Sequence, residues 1–268
     1  MTIKDILNKK KRRQNIVVVT AYDYPIASMA DEAGVDVILV GDSLANVVLG
    51  LESTREVGMQ EMLHHTKAVV RGVKNALIVG DMPYDAYQLN IKAAVDNAKQ
   101  FMDAGCHAVK LEWFKDAPQV AASIVKARIP LMGHVGLTPQ TASQMKVQGK
   151  DALAARKIMD QALTFEDKGA FSLVLECIPK ELAAKISARL KIPTIGIGAG
   201  NNCDGQVLVS YDLLGLFNRY QPKFSKKYLD LAPMIVKAFQ KYGKDVRSRR
   251  FPDNAHSFHM PADELKKI

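Results

Sequence analysis

The chain has 268 residues, of which 48% are hydrophobic and 24% are charged, a composition typical of a globular domain that excludes a disordered or fibrous protein. Its apolar runs are shorter than the ~18 residues that a membrane-spanning helix needs, and its basic N-terminus lacks the apolar stretch of a secretory signal, so we expect a cytoplasmic protein. The formal net charge of +9 is concentrated in residues 1–13 and 223–250, and this peripheral surplus favours solvated helix faces and tails over a nucleic-acid footprint.

Short apolar runs, rich in β-branched residues, recur along the chain and are mostly followed by longer amphipathic stretches. They predict strands at residues 16–20, 36–41, 76–81, 107–112, 130–135, 171–176, 192–198 and 206–209. These runs lack period-2 alternation, as expected for strands buried on both faces. The stretches between them predict helices, for example at residues 59–74, 91–104 and 152–168. Glycines at positions 34, 105 and 169 stand where a helix would stop before the next strand.

This alternation of strand and helix, repeated about eight times, predicts a parallel sheet with helical crossovers. A closed barrel and an open doubly wound sheet share the pattern. The number of repeats, and functional residues spread over many strand ends, favour an α/β fold of the single (β/α)8 TIM-barrel type. We therefore predict one domain over residues 1–268, with a basic N-terminal segment and a polar C-terminal extension from about residue 243 to 268.

Acidic residues recur where the predicted strands end. Asp42, Asp81 and Glu112 follow three consecutive strands, which lie ~4.8 Å apart in a sheet, so their carboxylates should converge in the barrel mouth. Converging carboxylates repel one another unless a cation neutralises them, and Mg²⁺ is the divalent ion that suits carboxylates and retained waters. The alternative is that each acid caps a helix or pairs with a lysine.

Two further residues belong to the same predicted site. Lys110 and Glu112 are two positions apart, so strand alternation points both side chains the same way. The Lys110 ammonium could bind a substrate carboxylate, or it could simply balance Glu112. Ser43 could donate its hydroxyl or its backbone N–H to the same substrate, or it could be the N-cap of a short helix.

Glu176, at the end of the sixth predicted strand, should lie across the barrel from the metal side. There it could remove the proton next to the ketone of a 2-oxo acid that a cation has acidified. The alternative is an acid at the N-terminus of the helix that follows Pro179. His134, which ends the fifth strand, could polarise substrate or shuttle protons, but a hydrogen-bonded core histidine is equally consistent.

The glycine-rich run at residues 195–200 ends the seventh predicted strand. Phosphate binding by the loops after strands seven and eight is common in such barrels, while close approach of the backbone to a flat ligand is the alternative. The cysteines Cys106, Cys177 and Cys203 are odd in number and form no CxxC pair, which argues against a disulfide framework and a zinc–thiolate site.

Several motifs together resemble the ketopantoate hydroxymethyltransferase family, over roughly residues 3–258. They are TAYD at 20–23, VGDSL at 40–44, GHVGLTPQ at 133–140, VLECIP at 174–179, IPTIGIGAG at 192–200, DGQVLV at 204–209 and HSF at 256–258. The resemblance implies a cytoplasmic homo-oligomer, commonly a decamer. It also implies transfer of the one-carbon unit of 5,10-methylenetetrahydrofolate to 3-methyl-2-oxobutanoate, which gives 2-dehydropantoate for pantothenate and coenzyme A synthesis.

The resemblance also implies roles for individual residues. Asp42 and Asp81 match the family's Mg²⁺ ligands, with Glu112 next to the metal. The oxo acid is expected to contact Ser43 and Lys110. Its remaining expected contacts are Asp42, Asp81 and His134. Glu176 matches the base that removes the substrate proton.

Two loops depart from the family pattern. Trp113 and Phe114 stand where the family usually has a glycine pair, and the segment between Gln140 and Lys146 is shortened. Both loops are predicted on the active face, where they bear on the folate pocket.

Two other functions remain as alternatives. One is a metal-dependent 2-oxo-acid carbon–carbon lyase or mutase of the phosphoenolpyruvate/pyruvate barrel type, which would share the metal carboxylates but need no folate. The other is a nucleic-acid binder that uses the basic termini, although no aromatic-interleaved basic stripe supports it.

Overall fold

The computed structural model of the chain describes residues 1–141 and 146–268. Eight parallel strands form a closed barrel in sequence order. The strands are β1 (Ile16–Thr20), β2 (Val37–Val40), β3 (Leu77–Asp81), β4 (Ala108–Glu112), β5 (Leu131–Gly136), β6 (Ser172–Glu176), β7 (Thr194–Ile197) and β8 (Gly205–Leu208). Each predicted strand is confirmed to within two residues at either end, and β8 closes the ring by pairing with β1. The predicted (β/α)8 barrel is therefore confirmed.

Helices precede, separate and follow these strands, except that β7 leads to β8 without a helix. They are α1 (Ile3–Lys11), α2 (Tyr24–Glu32), α3 (Leu44–Val47), α4 (Met59–Gly72), α5 (Ile91–Asp103), α6 (Ala117–Lys126), α7 (Ala152–Asp167), α8 (Lys180–Arg189), α9 (Ser210–Leu213), α10 (Leu231–Arg247) and α11 (Ala262–Leu265). The predicted helices at 59–74, 91–104 and 152–168 correspond to α4, α5 and α7. Gly34, Gly105 and Gly169 adopt positive φ after α2, α5 and α7, where a left-handed residue ends a helix at little steric cost.

The barrel interior is filled by inward-facing apolar side chains. They are Ile16, Val18, Val37, Leu39, Leu77, Val79, Ala108, Met132, Phe171, Val174, Ile195 and Val207. A larger apolar layer lies between the strands and the helices. Strands β2, β3 and β4 are buried on both faces and therefore read as continuous apolar runs, whereas β1 and β8 each have one exposed residue, Val17 and Gln206.

The basic N-terminus forms the ordered helix α1. Thr2 and Asp5 make a capping box at its start, and Ile6 is buried in the same cluster as the barrel interior. Lys9 forms an ion pair with Asp36 at 2.7 Å, and Lys10 forms one with Asp204 at 2.7 Å. Part of the positive charge of the N-terminal segment is thus neutralised by ion pairs within the protein.

The chain forms two compact units. One contains Met1–Tyr211 and Pro222–Ser225, and so includes the whole barrel; the other contains Asp212–Gln221 and Lys226–Ile268. The second unit is built on α10, which runs through to Arg247, and the single domain with an extension from about residue 243 stays a prediction. Among the described residues, no helix combines the length and apolar character needed to cross a membrane.

Candidate active site

Polar side chains continue the inward-facing rows of the barrel strands at their C-terminal ends. They are Asp81, Lys110, Glu112, His134 and Glu176. Each stands an even number of residues beyond an apolar residue of the barrel interior, so strand alternation points it into the same mouth. All except Glu176 are at most 4% exposed. Charged groups buried to this degree need partners.

Lys110 and Asp81 are one such pair. The two residues are in register on β3 and β4, and Nζ of Lys110 lies 2.6 and 2.7 Å from the two carboxylate oxygens of Asp81. Burial raises the pKa of Asp81 to about 7, against the opposing effect of Lys110. Burial alone would lower the pKa of Lys110, but the nearby carboxylates of Asp81 and Glu112 outweigh it and raise that pKa. The sequence analysis left open that one of the acids pairs with a lysine. Asp81 does so, with Lys110.

His134 lies between two carboxylates. Its Nδ1 is 3.3 Å from Oε1 of Glu112, its register partner, and its Nε2 is 3.2 Å from Oε2 of Glu176. Burial would lower the pKa of His134, but Glu112 outweighs it and the pKa is raised to about 9. An imidazolium placed in this way compensates the negative charges of Glu112 and Glu176.

Strand β6 is four strands from β2 but only two from β4. Glu176 therefore lies across the barrel from Asp42 and close to Glu112.

Asp42 lies two residues after the end of β2, next to Asp81. Its backbone N–H donates to Oδ2 of Asp81 at 3.3 Å. Ser43 occupies the N-cap position of α3, but its hydroxyl makes no capping hydrogen bond. Instead its Oγ lies 2.8 Å from the hydroxyl of Tyr22. The hydroxyl of Ser43 is therefore held by Tyr22, and it does not cap the helix.

Gln140 also belongs to the site, although in the sequence it stood out only as part of the GHVGLTPQ motif. It lies in the loop after β5, is 0% exposed, and donates from Nε2 to Oδ2 of Asp42 at 2.8 Å. Its backbone N–H donates to Oε2 of Glu112 at 3.1 Å. The hydroxyl of the buried Tyr87 donates to its Oε1. The shortened segment after Gln140 falls partly on residues 142–145, outside the described residues.

The site's donors suit a hard divalent cation. Carboxylates from three adjacent strands, Asp42, Asp81 and Glu112, lie close enough for their charges to affect one another. Burial raises the pKa of Glu112, so an added positive charge would stabilise its ionised form. Among the described residues, no group of three or more His, Cys, Asp or Glu is arranged to hold a metal ion directly. A Mg²⁺ ion usually keeps several waters and uses one or two carboxylates, and two such carboxylates, from Asp42 and Asp81, are adjacent here.

The remaining features of the active face have packing roles. A Cβ on Gly198 would come within 2.8 Å of the Phe224 ring, and one on Gly200 would overlap Cβ of Lys180. The glycine-rich run is thus needed for chain packing whether or not a ligand approaches it. Trp113 packs edge-on against Phe165, and the ring centroids of Phe114 and Tyr87 are 4.9 Å apart.

The three cysteines are free, as predicted.

A comparison with known families decides the relationship. Residues 1–254 match the model of a family described as ketopantoate hydroxymethyltransferase. The chain belongs to this family. The resemblance inferred from the sequence motifs is therefore confirmed, and the lyase or mutase and the nucleic-acid binder lose their support as alternatives.

Individual relatives agree over the full length. A 3-methyl-2-oxobutanoate hydroxymethyltransferase from Carboxydothermus hydrogenoformans is 49% identical over 272 aligned positions, covering 100% of this chain and 99% of that protein. The protein of the same name from Oleidesulfovibrio alaskensis is 52% identical, covering 100% of this chain and 93% of that protein.

Solved structures resemble the chain in fold. A phosphonopyruvate hydrolase in complex with oxalate and Mg²⁺ gives a TM-score of 0.64 at 13% identity, covering 100% of this chain and 94% of that one. A phosphoenolpyruvate phosphomutase from Streptomyces platensis subsp. rosaceus gives 0.66 at 13% identity, with the same coverage. At these identities the similarity establishes the barrel fold only. The reaction must be inferred from the residues of the site.

Proposed function

We propose that this chain is a 3-methyl-2-oxobutanoate hydroxymethyltransferase that transfers the one-carbon unit of 5,10-methylenetetrahydrofolate to its oxo-acid substrate. One observation carries the proposal. This chain belongs to the family, and its buried carboxylates lie at one barrel mouth together with the Lys110 ammonium and Glu176. The product would be 2-dehydropantoate, an intermediate on the route to pantothenate. The remaining expectations are that the protein is cytoplasmic and forms a homo-oligomer, commonly a decamer in this family.

The metal proposed for the site is Mg²⁺, held by Asp42 and Asp81, with Glu112 adjacent through water. Hard carboxylate oxygens from adjacent strands support this choice. When bound, Mg²⁺ would polarise the keto oxygen of the substrate and stabilise the negative charge that develops there. The same arrangement gives Asp42 and Asp81 a place next to the oxo acid.

The carboxylate of the oxo acid is bound by Lys110 in this proposal. The Lys110 ammonium is buried with a raised pKa, so it stays charged at neutral pH and can form a charge-assisted hydrogen bond with an incoming anion. The hydroxyl of Ser43, which Tyr22 holds, is placed to donate to the same group. Together these two residues would fix the orientation of the substrate's C3.

Glu176 acts as the general base and takes the proton from C3 of the oxo acid. It is less buried than its neighbours, with a side chain 17% exposed, so it can be reached from the open mouth. His134 contacts Glu176 and Glu112, and it would keep Glu176 oriented while the substrate is bound. We also place His134 beside the oxo acid as a polar contact.

Carbon–carbon bond formation then joins C3 to the methylene carbon of the folate. Both bonds between that carbon and the folate nitrogens break: the electron pair left by the C3–H bond forms the new carbon–carbon bond in place of one, and the oxygen of one water bonds to the carbon in place of the other. The C3 proton, taken up by Glu176, and one proton of the water go to the two folate nitrogens, so that tetrahydrofolate leaves. The departures at Trp113 and Phe114 lie on the face where the folate would bind.

A direct assay separates this function from the lyase or mutase alternative. Purified protein is incubated with Mg²⁺ and 3-methyl-2-oxobutanoate, with and without methylenetetrahydrofolate, and 2-dehydropantoate and tetrahydrofolate are measured. We expect both products in equal amounts only when the folate is present. Consumption of the oxo acid without folate would favour the lyase or mutase, and no consumption under either condition would contradict the proposal.

A further inference from the structure

A single buried glutamine connects two of the candidate metal ligands. Gln140 contacts Asp42 through its side-chain Nε2 at 2.8 Å and Glu112 through its backbone N–H at 3.1 Å. Its Nε2 also donates to the carbonyl of Met82, the residue after Asp81, at 3.1 Å. Gln140 therefore touches the chain next to β2, β3 and β4 at the points where the proposed ligands lie.

The orientation of the Gln140 amide is fixed by its surroundings. The carboxylate of Asp42 and the carbonyl of Met82 can only accept hydrogen bonds, so the NH₂ group must face them. The amide oxygen then points to the hydroxyl of Tyr87, which donates to it. Burial and the neighbouring carboxylates raise the pKa of Tyr87, so the hydroxyl keeps the proton that it donates.

Tyr87 and Gln140, the two partners of this hydrogen bond, are each held by a residue outside the site. The ring of Tyr87 is 1% exposed and packs against Phe114, whose centroid is 4.9 Å away. The carbonyl of Gln140 accepts a hydrogen bond from Nε of Arg55. Since the amide can turn over only by losing its bonds to Asp42, Met82 and Tyr87, it has one stable orientation.

We propose that Gln140 is a positioning residue for the metal site, and that Tyr87 acts through it by fixing the polarity of its amide. Each donor of Gln140 binds one oxygen of Asp42 or Glu112 and holds the carboxylate in a single orientation. Hydrogen-bond partners of this kind typically change metal affinity 10–100-fold when removed. The inference rests on the Mg²⁺ site proposed above.

The test measures metal binding without substrate. Free Mn²⁺ is titrated against the full-length protein and followed by its electron paramagnetic resonance signal. We expect Gln140→Met, which keeps the side-chain length, to weaken binding about tenfold, and Tyr87→Phe, which removes one hydroxyl, to weaken it about three- to tenfold. In the double variant the Tyr87 change should add nothing to the Gln140 change, because Tyr87 acts only through that amide.

Two controls change similar groups nearby. Tyr84→Phe removes a hydroxyl three residues before Tyr87 but keeps the ring under Arg55. Gln148→Met removes an amide that donates to the carbonyl of Lys146. Both should bind Mn²⁺ like the wild type. Thermal unfolding identifies a variant that fails to fold, and if Gln140→Met fails, Tyr87→Phe alone decides the question.

The outcomes separate this inference from the proposed function. If the wild type does not bind Mn²⁺, or if Asp81→Ala binds it equally well, the metal site itself is wrong and the inference falls with it. If the wild type binds and Asp81→Ala does not, unchanged affinity in the Gln140 and Tyr87 variants overturns the positioning role alone. Additive losses in the double variant would overturn the action of Tyr87 through Gln140.

Discussion

Nε2 of His134 lies 3.2 Å from Oε2 of Glu176. Because the other ring nitrogen faces Glu112 at 3.3 Å, the imidazole joins the proposed base to the proposed metal side of the barrel. The raised pKa of His134, about 9, keeps the ring positively charged at neutral pH. We therefore propose separate roles for the two acids: Glu112 would lie beside the proposed Mg²⁺, and Glu176 would be available to the substrate.

Replacing the proposed base should separate binding from proton removal. In Glu176→Gln we expect deuterium exchange at C3 of 3-methyl-2-oxobutanoate, followed by NMR in D₂O with Mg²⁺ but no folate, to slow by about 10²–10⁴-fold. Mn²⁺ affinity should be unchanged, since Glu176 is not a proposed ligand. The exposed Glu181, in the first turn of α8, provides the matched control Glu181→Gln. Exchange at the wild-type rate in Glu176→Gln would remove Glu176 from the base role.

Removing the bridge between the acids should affect turnover more than folding. In His134→Gln we expect kcat to fall about 10–100-fold, because the orientation of Glu112 and Glu176 is lost while KM for the oxo acid, set largely by Lys110, changes less. Steady-state kinetics and thermal unfolding measure the two effects. The exposed His64, on α4, gives the control His64→Gln. If His134→Gln lowers only the thermal stability and leaves kcat of the folded protein unchanged, His134 is a core histidine without a role in turnover.

The sequence predicted the barrel well because its signals are local. Strands buried on both faces appear as apolar runs, and parallel strands bring their C-terminal residues to one edge. The same-side orientation of Lys110 and Glu112 followed from two-residue alternation alone, and both side chains are found buried in the mouth. These inferences needed no knowledge of tertiary contacts.

Features that depend on the path of a loop were not predicted. Gln140 reaches Asp42 across 98 residues of sequence, and Tyr87 reaches Gln140 across 53; neither separation has a periodicity that a pattern could reveal. Helix α1 is different, because Thr2 and Asp5 form a capping box whose spacing is readable in the sequence. Its ion pairs with Asp36 and Asp204, in contrast, are tertiary.

Substitution of a proposed metal ligand should remove the dependence on Mg²⁺. We expect Asp81→Ala to lose hydroxymethyl transfer, to below about 1% of the wild-type rate, and to show no response to Mg²⁺ between micromolar and millimolar concentrations. Because Asp81 also partners Lys110, Asp81→Asn serves as a second variant that keeps a hydrogen-bond acceptor. Asp85→Asn, exposed on the same loop, should retain Mg²⁺-dependent turnover. The ligand assignment fails if Asp81→Ala does so as well.

Asp31, at the end of α2, should stabilise the fold in a pH-dependent way. Its carboxylate accepts backbone N–H groups from Lys74, Asn75 and Ala76, at distances of 2.7–3.3 Å, and so joins α2 to the start of β3. Burial alone would raise the pKa of Asp31, but these donors outweigh it and lower the pKa below the ordinary value for an aspartate. Hydrogen bonds to a buried charge are worth about 1.5–3 kcal/mol.

The sign of this pH dependence follows from the lowered pKa. The unfolded state binds the proton more readily, so the stabilisation is fully present above the ordinary pKa of about 4 and is lost as the pH falls through the lower, folded-state value. We therefore expect Asp31→Asn to reduce the free energy of unfolding by about 1.5–3 kcal/mol at pH 7, measured by urea denaturation, and the difference from wild type to shrink at pH 3. Glu32→Gln, its exposed neighbour, should unfold like the wild type at pH 7. A difference for Asp31→Asn that is equal at pH 7 and pH 3 would mean that the charge of Asp31 contributes nothing, and that the shape of its side chain alone matters.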